Sequence, residues 1–92
     1  MKKIVAQFNQ VGFTAEIYSQ VIKDLESAGK GNPSGRIYHV AVQQADGMFI
    51  TDLWESEEAL KEFSETLIPI IIKNGGTPAQ PTLLPVHNII IG

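Results

Sequence analysis

A strand pattern passes directly into a helix pattern at Ser56, and this junction restricts the fold more than any other stretch of the sequence. The residues from Met48 to Glu55 have the β-branched and aromatic composition of a strand. Ser56 is then a good N-cap, and Glu57 and Glu58 place negative charge in the first turn, where the helix dipole favours it. The chain is therefore expected to change from strand to helix at this point, beside its only tryptophan, Trp54.

A second strand, from Arg36 to Gln44, precedes the junction and predicts a β-hairpin. Asp46-Gly47 is a typical centre for a two-residue type I′ turn. With these two residues as the loop, four cross-strand pairs are expected: Ala45 with Met48, Val42 with Thr51, Val40 with Leu53, and His39 with Trp54.

Alternation along this hairpin separates two faces of different chemistry. The more apolar face, expected to pack under helices, carries Tyr38, Val40, Val42, Phe49 and Leu53. The aromatic and polar face, expected on the opposite side of the sheet, carries His39, Ala41, Gln43, Ile50, Asp52 and Trp54.

The first part of the chain predicts a strand followed by a helix. Lys3 to Phe8 is short and rich in residues that favour strands. Thr14 is the expected N-cap of the helix, and Gly29 ends its apolar pattern.

The last part of the chain predicts a helix and a strand, each with a proline inside it. Pro69 cannot donate a backbone hydrogen bond to Glu65, so a kink or break is expected near Ile68, with one more turn ending at 74–76. The final strand is expected from about Thr82 to Ile91, and Pro85 makes its first half an edge or a bulge.

The order strand, helix, strand, strand, helix, strand predicts a ferredoxin-like α+β domain over residues 1–92. In this plan both helices cover one face of a four-stranded antiparallel sheet. Pairing of two open faces would cover the other side, so the sequence predicts a homodimer that forms an α+β barrel with a cavity between its sheets.

Composition excludes several classes of partner and site. The formal net charge is −3 and no Lys/Arg cluster occurs, which argues against nucleic acid. The absence of cysteine excludes disulfides and thiol chemistry. The longest apolar run, from Leu67 to Ile72, is too short to span a bilayer, so we expect no membrane partner and a cytoplasmic location.

A family resemblance rests on the strand-to-helix junction. The residues Asp52-Leu53-Trp54-Glu55-Ser56-x-Glu58-Ala59-x-x-x-Phe63, with the later Pro69, Gly75 and Pro85-Val86-His87-Asn88, resemble the small dimeric α+β barrels of the antibiotic-biosynthesis-monooxygenase-like superfamily. The likeness extends from Ile4 to Ile91. It implies a ferredoxin-like dimer and either a cofactor-independent quinone-forming monooxygenase or a haem-degrading one.

For a haem degrader, the resemblance implies an axial histidine on the second helix. No histidine occurs between Ser56 and Asn74, although Asn9 and Trp54 would suit the pocket of such an enzyme. The sequence therefore departs from that pattern, and we expect no cofactor.

His39 and Asp52 are the candidate catalytic residues. They lie on the same predicted face, and a carboxylate beside an imidazole can fix its tautomer and raise its basicity, as proton abstraction requires. The alternative is a hydrogen-bonded polar cluster without catalytic function. Trp54 is either a buried core or interface residue, the commoner role, or a wall of the pocket.

Four further residues are candidate substrate contacts: Gln7, Asn9, Ile50 and His87. Asn9 is also a good turn residue, and His87-Asn88 could satisfy backbone groups after Pro85. Two histidines with Asp52 would be a minimal metal set, but no ligand spacing supports one, so no metal site is predicted.

Two functions remain open at this level. The first is a small homodimer that binds an aromatic or similar organic molecule in an inter-sheet pocket and oxygenates it without a metal or flavin. The second is a non-catalytic module for ligand binding or protein assembly. A cavity of a few hundred cubic ångströms with convergent polar groups would favour ligand binding or catalysis over assembly.

Overall fold

The computed structural model describes residues 2–92, which form the predicted sequence of elements. Their bounds are β1 Ile4–Val11, α1 Ala15–Ser27, β2 Arg36–Gln44, β3 Gly47–Trp54, α2 Glu57–Lys73 and β4 Thr82–Pro85. The strands form one antiparallel sheet in the order β2-β3-β1-β4. The ferredoxin-like βαββαβ fold predicted from the sequence is confirmed.

The β2–β3 hairpin forms, but its turn lies one residue earlier than predicted. Ala45 and Asp46 are the loop, Gln44 pairs with Gly47, and His39 lies opposite Asp52 rather than Trp54. The type I′ prediction fails because no non-glycine residue of the described chain has a positive φ. The pairing therefore differs by two residues, which leaves each side chain on the same face of the hairpin.

The assignment of the two sheet faces was wrong. The face that packs under the helices carries Ile50, Asp52 and Trp54, all of them buried, whereas Tyr38 is 60% and Val42 is 52% exposed on the open face. The face with more apolar residues was expected to be the covered one. That expectation fails here because the polar side chains on the covered face bond to one another.

Both predicted helix caps are confirmed. Thr14 Oγ1 accepts a hydrogen bond from the Ile17 amide at 3.0 Å, and Ser56 Oγ accepts one from the Ala59 amide at 3.1 Å. The predicted break near Ile68 is absent, since α2 continues through Pro69 and ends at its C-cap Asn74. Burial of Ile71 in the core holds the turn beyond the proline.

The last strand is the first half of the predicted segment, not the whole of it. β4 pairs with β1 from Gln7↔Thr82 to Ile4↔Pro85. Because β1 begins at Ile4, no paired strand continues beside residues 86–92, and they form no strand. Ile90 and Ile91 are accordingly 80% and 88% exposed.

Trp54 lies at the centre of the core between the sheet and the helices. Its side chain is fully buried, and its ring packs on Phe63 of α2 with 5.5 Å between centroids. Along α2, Leu60 and Ile71 continue the buried stripe that the sequence predicted. No helix within residues 2–92 is long and apolar enough to cross a membrane.

Gly47 is required where β3 begins, because its backbone lies against β1. A Cβ atom at this position would come 2.1 Å from the Gln10 carbonyl oxygen, and φ is +155°. We expect Gly47→Ala to lower the free energy of unfolding by about 3 kcal/mol, the upper end for ordinary single substitutions. Chemical denaturation measures the change.

Gly12→Ala is the matched control for this prediction. Gly12 also has a positive φ, +84°, but nothing lies within 4 Å of the added methyl group. Gly12→Ala should lower the free energy of unfolding only by the backbone cost of a positive φ, about 1 kcal/mol. Equal losses in the two variants would show that the close approach of Gly47 to Gln10 does not matter.

Candidate active site

A cavity of about 230 Å³ lies between the sheet and the helices, on the covered side of the sheet. Apolar side chains from both layers form most of its wall, among them Phe8, Phe13, Ile50, Phe63 and Leu67. Its ionisable lining groups are Tyr18, Arg36, His39 and Asp52. The cavity is therefore an apolar space with a small group of polar side chains on one side.

These polar side chains form a continuous chain of hydrogen bonds. Asp52 Oδ1 lies 2.6 Å from His39 Nδ1, and His39 Nε2 lies 2.7 Å from the Tyr18 hydroxyl. Trp54 Nε1 donates to the second carboxylate oxygen, Oδ2, at 3.2 Å. Asp52 is only 4% exposed, so these bonds replace the water that its charge would otherwise require.

The hydrogen bonds assign the tautomer of His39. An ionised carboxylate only accepts hydrogen bonds, so His39 Nδ1 carries a proton and donates it to Asp52. In the neutral ring, Nε2 is then an acceptor, and the Tyr18 hydroxyl donates to it. The arrangement is that of a general base, an imidazole oriented by a buried carboxylate, with Tyr18 on its basic nitrogen.

Burial raises the pKa of the Tyr18 hydroxyl above its usual value. The positive charge of Arg36 opposes this rise in pKa, and the negative charge of Asp52 adds to it. Tyr18 therefore stays protonated at neutral pH and can donate its proton to His39.

The sheet register positions the three sheet residues of this hydrogen-bond chain. His39 of β2 is the direct partner of Asp52 of β3, and Trp54 lies two residues further along the same face. Tyr18 comes from the first part of α1, where its ring lies nearly parallel to that of His39 at 6.1 Å between centroids. Packing of α1 on the sheet thus completes the chain.

The structure brings three of the predicted site residues together, His39, Asp52 and Trp54, and Ile50 lines the same cavity. Trp54 is not a lining residue. Its indole lies behind Asp52 in the core, which agrees with the commoner of its two predicted roles.

Gln7, Asn9 and His87 are not among the residues that line the cavity. Gln7 and Asn9 pair with Thr51 and Phe49 of β3 and so face the open side of the sheet. His87 lies beyond the end of β4 and is exposed. His39 and Asp52 thus lie under the helices, apart from Gln7 and Asn9 on the open face, and the substrate-binding role of Gln7, Asn9 and His87 stays a prediction.

Sequence reasoning did not identify Tyr18, Arg36 and Gln10 as site residues. Tyr18 was part of the apolar stripe of the first helix, and its polar end became relevant only once α1 lay over His39. Gln10 continues the covered face of β1 beyond Phe8 and is buried, and the available signal was its place in the alternation of Ile4, Ala6 and Phe8.

One wall of the cavity is the connection between α2 and β4. Pro78, Ala79, Gln80 and Pro81 all line it. Gln10, only 3% exposed, holds this segment by two hydrogen bonds: Nε2 donates to the Thr77 carbonyl at 3.2 Å, and Oε1 accepts from the Ala79 amide at 2.7 Å.

Several solved structures share this fold over nearly the whole chain. SnoaB, a cofactor-independent oxygenase from Streptomyces nogalater, has a TM-score of 0.63 at 14% identity, with 98% of each chain covered. The monooxygenase of the ActVA-Orf6 gene of Streptomyces coelicolor, solved with Nanaomycin D, has a TM-score of 0.62 at 14% identity, over 99% of this chain and 92% of that one. A Chloroflexus aurantiacus protein provisionally assigned as an antibiotic biosynthesis monooxygenase has a TM-score of 0.58 at 16% identity, with 98% and 97% covered.

No protein-family model matches the sequence, and no curated protein matches it. The solved structures share the fold of this chain, a ferredoxin-like α+β domain, as the resemblance implied. At this level of identity they do not transfer an activity or a set of residues.

The raised pKa of Tyr18 predicts a late step in an alkaline titration. Ultraviolet absorbance of tyrosinate should show one group ionising above the ordinary pKa of 10.0, and Tyr18→Phe should remove that step. Since the unfolded chain releases this proton first, the contribution of Tyr18 to stability is present below about pH 10 and lost as pH rises through the higher folded pKa.

Tyr38→Phe is the matched control because it removes the other tyrosine, which is largely exposed. The late step should remain in this variant. A titration of Tyr18→Phe that still contained the late step would contradict the assignment to Tyr18.

Proposed function

We propose that this protein is a monooxygenase that ionises and oxygenates a small hydroxyaromatic molecule in the cavity between its sheet and helices. The observation that carries the proposal is the hydrogen-bonded chain Asp52–His39–Tyr18, which ends in the cavity. The shared fold of two oxygenases supports it, since one of them is described as cofactor-independent.

Proton removal is the step for which the described residues are best suited. The substrate hydroxyl gives its proton to the Tyr18 oxygen as Tyr18 gives its own to His39 Nε2. Asp52 stabilises the imidazolium that forms, because its carboxylate already accepts from Nδ1. His39 is the general base, Asp52 orients it, and Trp54 orients Asp52.

Ionisation makes the substrate electron-rich enough to react with dioxygen. In the overall conversion, a phenol with a free ring C–H reacts with one O₂ and gives a quinone and one water. One oxygen atom enters the ring, and the other leaves as water. This chemistry requires a base and an apolar space, which the cavity offers, and the proposal includes no metal or flavin.

Cavity size and lining indicate the class of substrate. A volume of about 230 Å³ is slightly below the range of pockets that hold drug-sized ligands, so one or two fused rings fit best. Phenylalanine rings from both layers offer aromatic contacts to such a molecule. The predicted inter-sheet pocket is replaced in this proposal by the cavity within one chain.

A homodimer remains part of the proposal, through the open face of the sheet. This face exposes Tyr38, Val40, Val42 and Leu84, and it also carries the half-buried Phe49 and Leu53 of β3. Such a patch is costly in water, and a second copy of the chain offers a surface of the same chemistry. In the dimer each cavity lies on the far side of its own sheet from the partner.

Substitution of the proposed base tests the catalytic assignment. His39→Ala should lower kcat on hydroquinone-type substrates by about 100-fold or more, the usual contribution of a general base. Asp52→Asn should have a comparable effect, because an amide can donate to Nδ1 and favour the wrong tautomer. Oxygen uptake and quinone absorbance measure the rates.

His87→Gln is the control, since it removes the other histidine, which lies outside the cavity. Its kcat should equal that of the parent protein. Retained turnover in His39→Ala would disprove the base assignment. Tight binding of aromatic molecules without oxygen uptake would instead favour the alternative function, a non-catalytic ligand-binding module.

Light scattering with mass determination tests the homodimer. We expect a dimer at micromolar concentration and a monomer for Val42→Glu, which places a charge on the open face. Glu65→Lys, a charge change on the exposed side of α2, should remain dimeric. A monomeric parent protein would contradict this part of the proposal.

A further inference from the structure

Arg36 lines the cavity but takes no part in the proton transfer described above. It lies at the start of β2, and its Nη2 donates to the Gly31 carbonyl at 3.1 Å. Its guanidinium carbon lies 5.8 Å from the centre of the Phe63 ring. Within residues 2–92 the ion pairs are His39–Asp52 and Lys73–Asp24, so no carboxylate among them neutralises Arg36.

Proton transfer to His39 would leave a negative charge on the substrate, and that charge needs a partner in the cavity. Asp52 already has both oxygens engaged, by His39 and by Trp54. Once His39 takes a proton, the imidazolium and Asp52 form one ion pair. The oxygen that lost the proton then needs a positive partner, and among the ionisable lining groups Arg36 is the one that remains.

We propose that Arg36 binds the ionised oxygen of a substrate that enters the cavity as a neutral phenol or enol. The inference rests on the proposed function and specifies its substrate class. Before the proton moves, the charges present are those of Arg36 and Asp52. After it moves, two ion pairs exist, one between Arg36 and the substrate and one between His39 and Asp52.

Two features of the structure support this role. The positive charge of Arg36 acts on the Tyr18 hydroxyl and lowers its pKa, so its field reaches the atom through which the substrate proton passes. The rest of the cavity wall is mostly apolar, so few other groups there compete with Arg36 for a substrate oxyanion. A guanidinium can also offer two parallel donors to one oxyanion group.

The alternative role for Arg36 is structural. Its bond to Gly31 and its position over Phe63 both tie the loop before β2 to the body of the protein. A purely structural residue would affect stability but would not change the ionisation of a bound molecule. The two roles can therefore be separated by a spectroscopic measurement.

The test uses 4-nitrophenol, because its phenolate absorbs visible light and its neutral form does not. The probe is titrated with the protein at a pH one unit below its own pKa, where most of it is neutral. The parent protein should increase the phenolate band, equivalent to a fall of about one unit or more in the pKa of the bound probe. Arg36→Gln should abolish the increase, since glutamine keeps a donor for Gly31 but has no charge.

Two further variants complete the design. Arg36→Lys keeps the charge and should retain most of the increase, whereas Lys61→Met removes an exposed positive charge elsewhere and should match the parent. Circular dichroism and denaturation establish that each variant is folded. If Arg36→Gln does not fold, loss of the phenolate band in folded Arg36→Met serves the same purpose.

An equal phenolate band in Arg36→Gln and the parent would overturn the inference, and so would binding of the probe only in its neutral form. The measurement does not depend on turnover. A protein that ionises the probe through Arg36 but consumes no oxygen with any hydroquinone would disprove the monooxygenase proposal and leave the role of Arg36 intact.

Discussion

The hydrogen bonds to the buried Asp52 carboxylate are the interaction on which the rest of the site depends. A buried carboxylate is strongly unfavourable unless every oxygen has a partner, and here the Trp54 indole and the His39 imidazole each supply one. These bonds fix the orientation of the largest core side chain and of the only ring that can act as a base in the cavity. Core packing and acid–base geometry therefore have one common origin.

The helices complete what the sheet begins. α1 brings the Tyr18 hydroxyl onto the free nitrogen of His39, and α2 packs Phe63 against Trp54. The same layer of side chains that excludes water from Asp52 also forms the apolar wall of the cavity. A site of this kind needs no inserted loop or extra domain, because the space between sheet and helices provides it.

The sequence predicted the strands of the hairpin, both helix caps, the order of elements and the placement of His39 and Asp52 on one face of the hairpin. It did not predict which face of the sheet the helices cover. Residue types suggested that Tyr38 and Val42 were inside and Asp52 outside, whereas Asp52 is tolerated inside because His39 and Trp54 bond to its two oxygens. Other contacts of the site join more distant parts of the chain. Tyr18 is 21 residues from His39, and Gln10 is 67 residues from Thr77. Contacts over such separations follow from the fold and are not visible in local patterns.

The connection between α2 and β4, which Gln10 holds, differs in stability from the core between the sheet and the helices. Separation of the sheet from the helices would expose Trp54 and break the core, whereas displacement of residues 77–81 requires the loss of two side-chain hydrogen bonds and a few proline contacts. Local opening of this kind has a free energy far below that of global unfolding. Residues 77–81 are therefore the wall of the cavity that can separate without exposing Trp54, and the Gln10 side chain restrains them by two hydrogen bonds.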